Sequence, residues 1–473
     1  MEDYKRRFIT YLLETGALKV GGDFQLKSGR SSPHFVNIGD FNEGDSTSKL
    51  GLAYAEAIRH AGVEFDTLYG IPEKGVGLAI ATALGLATLG INKPWFFTRK
   101  TPKDHGEGTS LSQADRIKSM VVGRAPKNGQ RIVQLDDVFT AGNAKYESRD
   151  TLALLGDFGL PLLAIAVDRQ EVGIDGTSAI ATYEQKTGTK VVSIITATDI
   201  LEGLREHPLS VPEEALRRME TYLRVYGTQA ARQFLGKPLE QRVIEANRSV
   251  IPACDVATLE QFEALVQQTA DVPGIGAYKI GFELGLGYGL SRVVEVARKH
   301  TQKPLIYDHQ KAATDIPDTG RNFAQVMRRA GIDAVILFPQ AGPETERAWI
   351  YHALDQGLKV IVGGRMTHPA YAVSEGGFIA DEGALEMYRI AARAGVNQFV
   401  VPGNKPEVIQ KVRGVVEAEG VSPIFFAPGF VAQGGKIADT TKVAGDHWHA
   451  IVGRGIYGAA DMRVAAMEHT SQL

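Results

Sequence analysis

Residues 304–320 read PLIYDHQKAATDIPDTG. An apolar run, 304–307, ends abruptly in charge, with Asp308 and Asp315 bracketing the ammonium of Lys311. Three charges at the end of a buried strand are costly, because pairing restores only part of the hydration they lose. A chain that places them there points to a fold in which strand ends are reserved for chemistry.

The surrounding sequence supplies such a fold. Strand-like apolar runs recur at 250–255, 277–281, 304–308, 333–338, 358–364, 398–403, 423–429 and 449–455, each separated from the next by about a helix and two turns. Eight βα units in roughly 225 residues predict a (β/α)8 TIM barrel, whose active sites lie where the strands end. Charged residues fall at those ends: Asp255, Lys279, Asp308, Lys311, Asp315 and Arg454. Neighbouring strands of a barrel would set Lys279 beside Asp308, giving an alternating Lys–Asp–Lys–Asp array. A purely structural ion network is the plainer reading, and the location at the barrel's catalytic end stands against it.

The first 200 residues alternate differently. Apolar runs at 65–71, 94–99, 131–137, 162–169 and 190–196 carry apolar residues on both faces and are separated by helix-length stretches, which predicts an α/β domain built on a parallel sheet. Between the halves, HPLSVPEEALRRMETYLRVYG (207–227) has two prolines, charged helical periodicity and no strand. The expected organisation is therefore a first domain at 1–208, a helical linker at 209–245 and the barrel at 246–473.

The sharpest signal in the first domain is RIVQLDDVFTAGNAKYE (131–147). A strand ends in Asp136 and Asp137, and the chain turns through Thr140, Ala141, Gly142, Asn143 and Ala144. Small residues there let backbone N–H groups converge on a phosphate. The paired acids suit ribose hydroxyls and a magnesium ion. A tight turn with solvated acids is the alternative, and a Walker-type loop fails because no Gly-Lys-Ser/Thr follows.

The totals limit the classes. Hydrophobic content of 44% and charged content of 23% describe a folded globular chain of two or three domains in 473 residues. A net charge of −3 offers no broad attraction to nucleic acid or to an anionic membrane. Cys254 is the one cysteine, so no internal disulfide forms, which agrees with a reducing, cytoplasmic compartment. The first 16 residues lack the apolar core of a signal peptide, and no run approaches the ~18 apolar residues of a membrane span. His447 and His449 have a two-residue spacing without a third ligand, and GLGYGL (285–290) is a weak dinucleotide match.

The stretch at 131–147 resembles the diphosphoribosyl signature of phosphoribosyltransferases of type I. FQLKSGRSSPHFVN (24–37), GIPEKGVGLA (70–79) and RKTPKDHGEGT (99–109) narrow the resemblance to the orotate phosphoribosyltransferase family. It implies that Lys27, Lys74, Arg99, Lys100 and Lys103 surround the diphosphate of 5-phosphoribosyl 1-diphosphate. His105 would lie with Lys103 on a loop lent by a partner subunit, and Phe35 and Arg169 would hold the orotate ring and its carboxylate. Mg2+ is the implied cofactor of this step. Asn143 stands where the family usually has threonine, and His34 where an aromatic is common.

The barrel half resembles the orotidine 5′-phosphate decarboxylase family. PACDVAT (252–258) resembles the segment whose aspartate, here Asp255, holds a ribose hydroxyl. GRMTHPA (364–370) resembles a Met-Ser-His-Pro segment near the pyrimidine, with Thr367 in place of serine. APGFVAQGG (427–435) resembles a lid loop with Gln433 bridging base and phosphate. IVGRGIYGAAD (451–461) resembles a phosphate-gripping strand with Gly453, Arg454 and Gly455. The family pattern Asp-x-Lys-x-x-Asp-Ile-Pro-x-Thr is stretched here by one residue in each interval. The resemblance implies catalysis by Lys279, Asp308, Lys311 and Asp315 without a cofactor. Asp315 and Thr319 would reach into a neighbouring subunit, implying a homodimer or higher homo-oligomer with shared active sites.

Together the halves resemble the UMP synthases, which convert orotate to orotidine 5′-phosphate and then to UMP in pyrimidine biosynthesis. The expected partners are these small molecules, with no nucleic acid and no membrane. Two rivals remain at this point: a magnesium-using keto-sugar-phosphate decarboxylase on the same barrel, and a regulatory diphosphoribosyl sensor in the first half.

Overall fold

The structure, a computed structural model, describes residues 1–99, 119–139, 142–206, 211–236, 241–309, 312–429 and 443–473. The chain divides into two compact units, Met1–Phe234 and Leu235–Leu473.

In the first unit, β1 (Leu18–Gln25) and β2 (Ser31–Val36) form an antiparallel hairpin. The remaining strands are β3 (Thr67–Gly70), β4 (Trp95–Thr98), β5 (Val121–Gly123), β6 (Arg131–Leu135), β7 (Gly159–Asp168) and β8 (Lys190–Thr196). They build one sheet in the order β5-β4-β3-β6-β7-β8, parallel except for the edge pair β4–β5. The five expected runs form β3, β4, β6, β7 and β8. Burial on both faces explains the legibility of β3, β6 and β7, with Leu162 to Ala166 inaccessible along β7, whereas β4 and β8 are only partly buried.

The expected connector at 209–245 does not behave as one element. Its helix Glu213–Tyr226 buries Leu216, Met219, Tyr222 and Leu223, with Tyr222 edge-on to His34 of β2 at 5.8 Å. Arg218 donates to Asp23 of the hairpin at 2.6 Å, and Val172 N–H donates to Tyr226 at 2.9 Å. An amphipathic helix must bury its apolar face, and this one does so on the first unit.

The second unit closes eight parallel strands into a barrel: β9 (Arg248–Cys254), β10 (Tyr278–Gly281), β11 (Leu305–Asp308), β12 (Ala334–Leu337), β13 (Lys359–Gly363), β14 (Gln398–Val400), β15 (Ile424–Pro428) and β16 (Trp448–Val452). β16 pairs with β9 to complete the ring. Ile251, Ile306, Ile336, Ile361, Phe426 and Ile451 fill the interior. Val243 and Ile244, which precede β9, join that same cluster. Val243 N–H donates to the buried Gln398 Oε1 at 2.8 Å, and the Gln398 amide donates to the Gln241 carbonyl. Nearby, Ser249 and His449 meet at 2.8 Å, and burial pushes the His449 imidazole down to about 3, so it is neutral.

Candidate active sites

The first site forms where β3 and β6 run side by side. A Cβ on Gly70 would come within 2.3 Å of the Gly75 carbonyl, and one on Gly75 within 2.3 Å of the Leu135 carbonyl. Glycine at both positions therefore lets the turn after β3 pack backbone-to-backbone beside the end of β6. This places Lys74, at the start of helix Gly75–Thr88, against Asp137, with Nζ 2.6 Å from Oδ2. Asp136 takes its partner from the following helix, Asn143–Leu155: Lys145 Nζ lies 2.6 Å from its Oδ2 and also donates to the Val138 carbonyl at 2.6 Å. Burial raises the Asp136 carboxyl above its ordinary value, against the pull of Lys145. The Tyr54 hydroxyl donates to the Asp136 carbonyl at 2.7 Å. Gly142 precedes the helix at φ 81°, under the Phe139 ring, with Asn143 and Ala144 in the first turn.

Arg169 follows β7 and is held by Ser32 at 3.0 Å and by Glu171 at 2.6 Å. Burial works against its charge, but Glu171 and Tyr222 together outweigh it and the guanidinium stays above its ordinary value. Phe35 stacks on Phe24 with centroids 6.0 Å apart. His34 is buried, and burial drives its imidazole well below the ordinary range. Lys27 lies in the exposed turn between β1 and β2, and Arg99 follows β4. Thus Lys74, Asp136 and Asp137 come together, Arg169 is held by Ser32 and Glu171, and Phe35 packs on Phe24. Lys100, Lys103, His105, Thr140 and Ala141 lie outside the described residues. Sequence reasoning missed Lys145 and Tyr54. A lysine immediately after a phosphate loop, on a helix's first turn, was the available signal.

The second site opens at the strand ends of the barrel as a cavity of about 390 Å³. Lys279, 5% exposed, sits between two carboxylates: Asp308 Oδ2 at 3.0 Å and Asp255 Oδ1 at 3.5 Å. The register explains the cluster, since Gly281 pairs with Asp308 and Lys279 with Ala253. A Cβ on Gly281 would fall 2.5 Å from Asp255 Oδ1, so glycine there leaves the carboxylate its room. Burial opposes the charge on Lys279, yet Asp308 and then Asp255 outweigh it and its pKa is raised. Thr367, Gly453, Arg454 and Gly455 line the same cavity, together with the apolar Ile336, Phe338, Met366 and Val400. Apolar side chains and a cluster of charged ones thus meet in one cavity, the mix that binds an organic ligand and fixes its orientation.

Asp315 and Thr319 do not join this cavity. Asp315 is exposed and its carboxylate accepts from Ile316 N–H at 2.7 Å, while the Thr319 hydroxyl donates to the Ile316 carbonyl. Lys311 and Gln433 lie outside the described residues. Arg365 and Tyr457 were missed in the sequence and line the cavity. Arg365 is fixed by Asp381 at 2.7 Å and Glu375 at 3.1 Å, and Lys405 also reaches Glu375. That network holds the loop carrying Thr367, whose carbonyl accepts from Asn404 at 3.1 Å.

Comparison with known proteins agrees with this division. Residues 248–469 match the family described as Orotidine 5′-phosphate decarboxylase / HUMPS family. An orotate phosphoribosyltransferase of Thioalkalivibrio sulfidiphilus is 43% identical over 228 residues, 48% of this chain and 100% of that protein. One from Aeromonas salmonicida is 42% identical over 230 residues, again 48% of this chain and 100% of the relative. A crystal structure of orotidine 5′-monophosphate decarboxylase from Methanocaldococcus jannaschii, complexed with the inhibitor BMP, is similar over 48% of this chain and 98% of that one, with 26% identity and a TM-score of 0.42. The chain belongs, through its first half, to the orotate phosphoribosyltransferase family, and it carries an orotidine 5′-phosphate decarboxylase / HUMPS domain in its second.

Proposed function

We propose that the chain performs two consecutive steps of UMP formation: phosphoribosyl transfer to orotate in the first unit, then decarboxylation of orotidine 5′-phosphate in the barrel. The observation that carries the second step is the buried ammonium of Lys279 between two aspartates at the catalytic end of a barrel. The keto-sugar-phosphate and sensor alternatives are not favoured, because a full-length transferase likeness and a decarboxylase domain stand in one chain.

In the transferase step, the ring nitrogen of orotate bonds to C1 of the ribose and the diphosphate leaves. Catalysis is then positioning plus cationic stabilisation, with Lys74 and Arg99 facing the diphosphate and Asp136 and Asp137 the ribose hydroxyls. Among the described residues no group of three His, Cys, Asp or Glu side chains could cage a metal. The donor set at Asp136 and Asp137 fits an ion that arrives with the substrate's diphosphate. A bound Mg2+ would share the neutralisation of the leaving group.

In the decarboxylase step, the bond from C6 to the carboxylate breaks, CO2 leaves and the electron pair stays on the ring. Asp308 disfavours the substrate carboxylate beside it, and lysine ammoniums favour the developing carbanion. Lys279 stays protonated because two acids hold it so, and Lys311 returns the proton to C6. Asp255 holds a ribose hydroxyl, Thr367 the pyrimidine side, and Gly453, Arg454 and Gly455 the phosphate.

We also propose a homodimer or larger assembly in the cytoplasm. The exposed position of Asp315, off its own chain's cavity, supports a contribution to a neighbour, and no described helix is long and apolar enough to cross a membrane. Incubation with orotate, 5-phosphoribosyl 1-diphosphate and magnesium tests the reading through ultraviolet loss of orotate and release of CO2. Lys311→Ala is expected to stop at orotidine 5′-phosphate, and Asp137→Asn to block the first step. UMP formation at the normal rate by the Lys311 variant overturns the assignment.

A further inference from the structure

Asp308 is the last residue of β11, where a strand would ordinarily fray. Along this strand Ile306 points into the barrel interior, and Asp308, two residues on, reaches the cavity. Tyr307 and His309 therefore share the opposite, outer face. There the two side chains meet: Tyr307 Oη lies 2.5 Å from His309 Nδ1, and the rings are 5.6 Å apart.

The tyrosine is fixed independently of this bond. It is 2% exposed, wedged between helix Phe282–Tyr288 and helix Thr319–Ala330. A Cβ on Gly285 would strike its ring at 2.9 Å, and Phe323 lies 6.5 Å away, itself packed on Trp349 at 4.9 Å. Burial pushes the Tyr307 hydroxyl up to about 12, so it stays protonated and able to donate to the imidazole nitrogen. The bond thus spans the residue before and the residue after Asp308, closing a ring through its backbone.

Resting on the decarboxylase reading above, we propose that Tyr307 and His309 are positioning residues that clasp the backbone of Asp308 and so aim its carboxylate at Lys279 and the substrate. Neither Tyr307 nor His309 is among the described residues that line the cavity. The effect of the clasp is on the geometry of the charged cluster, where small displacements of a reacting carboxylate are costly to rate.

Full-length protein supplied with orotidine 5′-phosphate tests this, with transferase turnover measured on the same preparation. Tyr307→Phe deletes one oxygen, and His309→Ala deletes its acceptor. Each is expected to lower the decarboxylation kcat about tenfold, the scale of one lost positioning bond, while KM stays within about twofold. His309→Asn, whose Oδ1 can take the place of Nδ1, is expected to recover most of the rate. Transferase kcat and the thermal transition of the barrel should stay at wild-type values in all three. Wild-type decarboxylation kcat in both Tyr307→Phe and His309→Ala overturns the clasp alone, as does a loss confined to KM or matched by a lower barrel transition. A wild-type chain that releases no CO2 overturns the decarboxylase reading and the clasp with it.

Discussion

Replacing Lys279 with methionine isolates the energetics of the barrel site. The substitution keeps the length of the stem and removes the ammonium that lies 3.0 Å from Asp308 and 3.5 Å from Asp255. Breaking a buried ion pair from one side costs about 3–5 kcal/mol, because the remaining charge loses a counter-ion in a desolvated setting. The Asp308 side chain is 15% exposed and Asp255 is 40% exposed, so water relieves the second and the low end applies, about 3 kcal/mol. For a unit of this size that corresponds to a fall of about 6–12 °C in the barrel's thermal transition. Calorimetry of the full chain reads it directly, with the first unit's transition as internal reference. Lys279→Met combined with Asp308→Asn should regain most of the loss, since exchanging both partners for neutral groups is nearly neutral. Decarboxylation should fall at least about a thousandfold in both. A single variant that melts with the wild type, or a double variant worse than the sum of its parts, refutes the account of Lys279 as a desolvated counter-ion.

Three further outcomes follow from other groups. Glu346 is buried, and desolvation raises its carboxyl well above the ordinary value of 4.5. Its neutral form favours folding at pH below that ordinary value, and the contribution is lost as pH rises toward the folded value. Glu346→Gln should therefore match the wild type in acid and exceed it by about 1–3 kcal/mol near neutrality, read by denaturant melts across pH. Lys145→Met strips Asp136 of its partner and should lower the transferase kcat/KM by about a hundredfold, leaving decarboxylation of supplied orotidine 5′-phosphate intact. Tyr388→Phe orphans both the Arg365 N–H, which donates to its hydroxyl at 3.0 Å, and the Val400 carbonyl, which accepts from it at 2.7 Å. A loss of about 1–3 kcal/mol in barrel stability is expected from a denaturant titration.

Most of the strands that were legible in the sequence are buried on both faces, so the apolar run alone marks them, while β4 and β8 are legible from their apolar composition although only partly buried. β11, with Leu305, Ile306 and Tyr307 buried, and β16, buried throughout, are of the first kind. The hairpin β1–β2 was illegible because β1, LKVGGDFQ, has glycines and an exposed face and so never forms a run. Helix Glu213–Tyr226 was read as a connector from its charges and flanking prolines, although Leu216, Met219 and Leu223 already marked an apolar stripe in need of a surface. In the sites, Asp255, Lys279 and Asp308 could be placed because strand ends in a barrel have a known destination. Lys145 and Arg365 could not, because a helical lysine and a loop arginine look like solvated surface until the fold turns them inward.

The residues that floor the barrel come before its first strand. Gln241, Val243 and Ile244 close the end remote from the catalytic cluster, and the buried amide of Gln398 depends on their backbone for its hydrogen bonds. Dividing the chain into two separately expressed enzymes therefore has a wrong place and a right one. A barrel begun at residue 246 would lose its stopper and bare an apolar mouth with an orphaned amide, a recipe for aggregation even though every catalytic residue is present. One begun ahead of Gln241 carries its own floor.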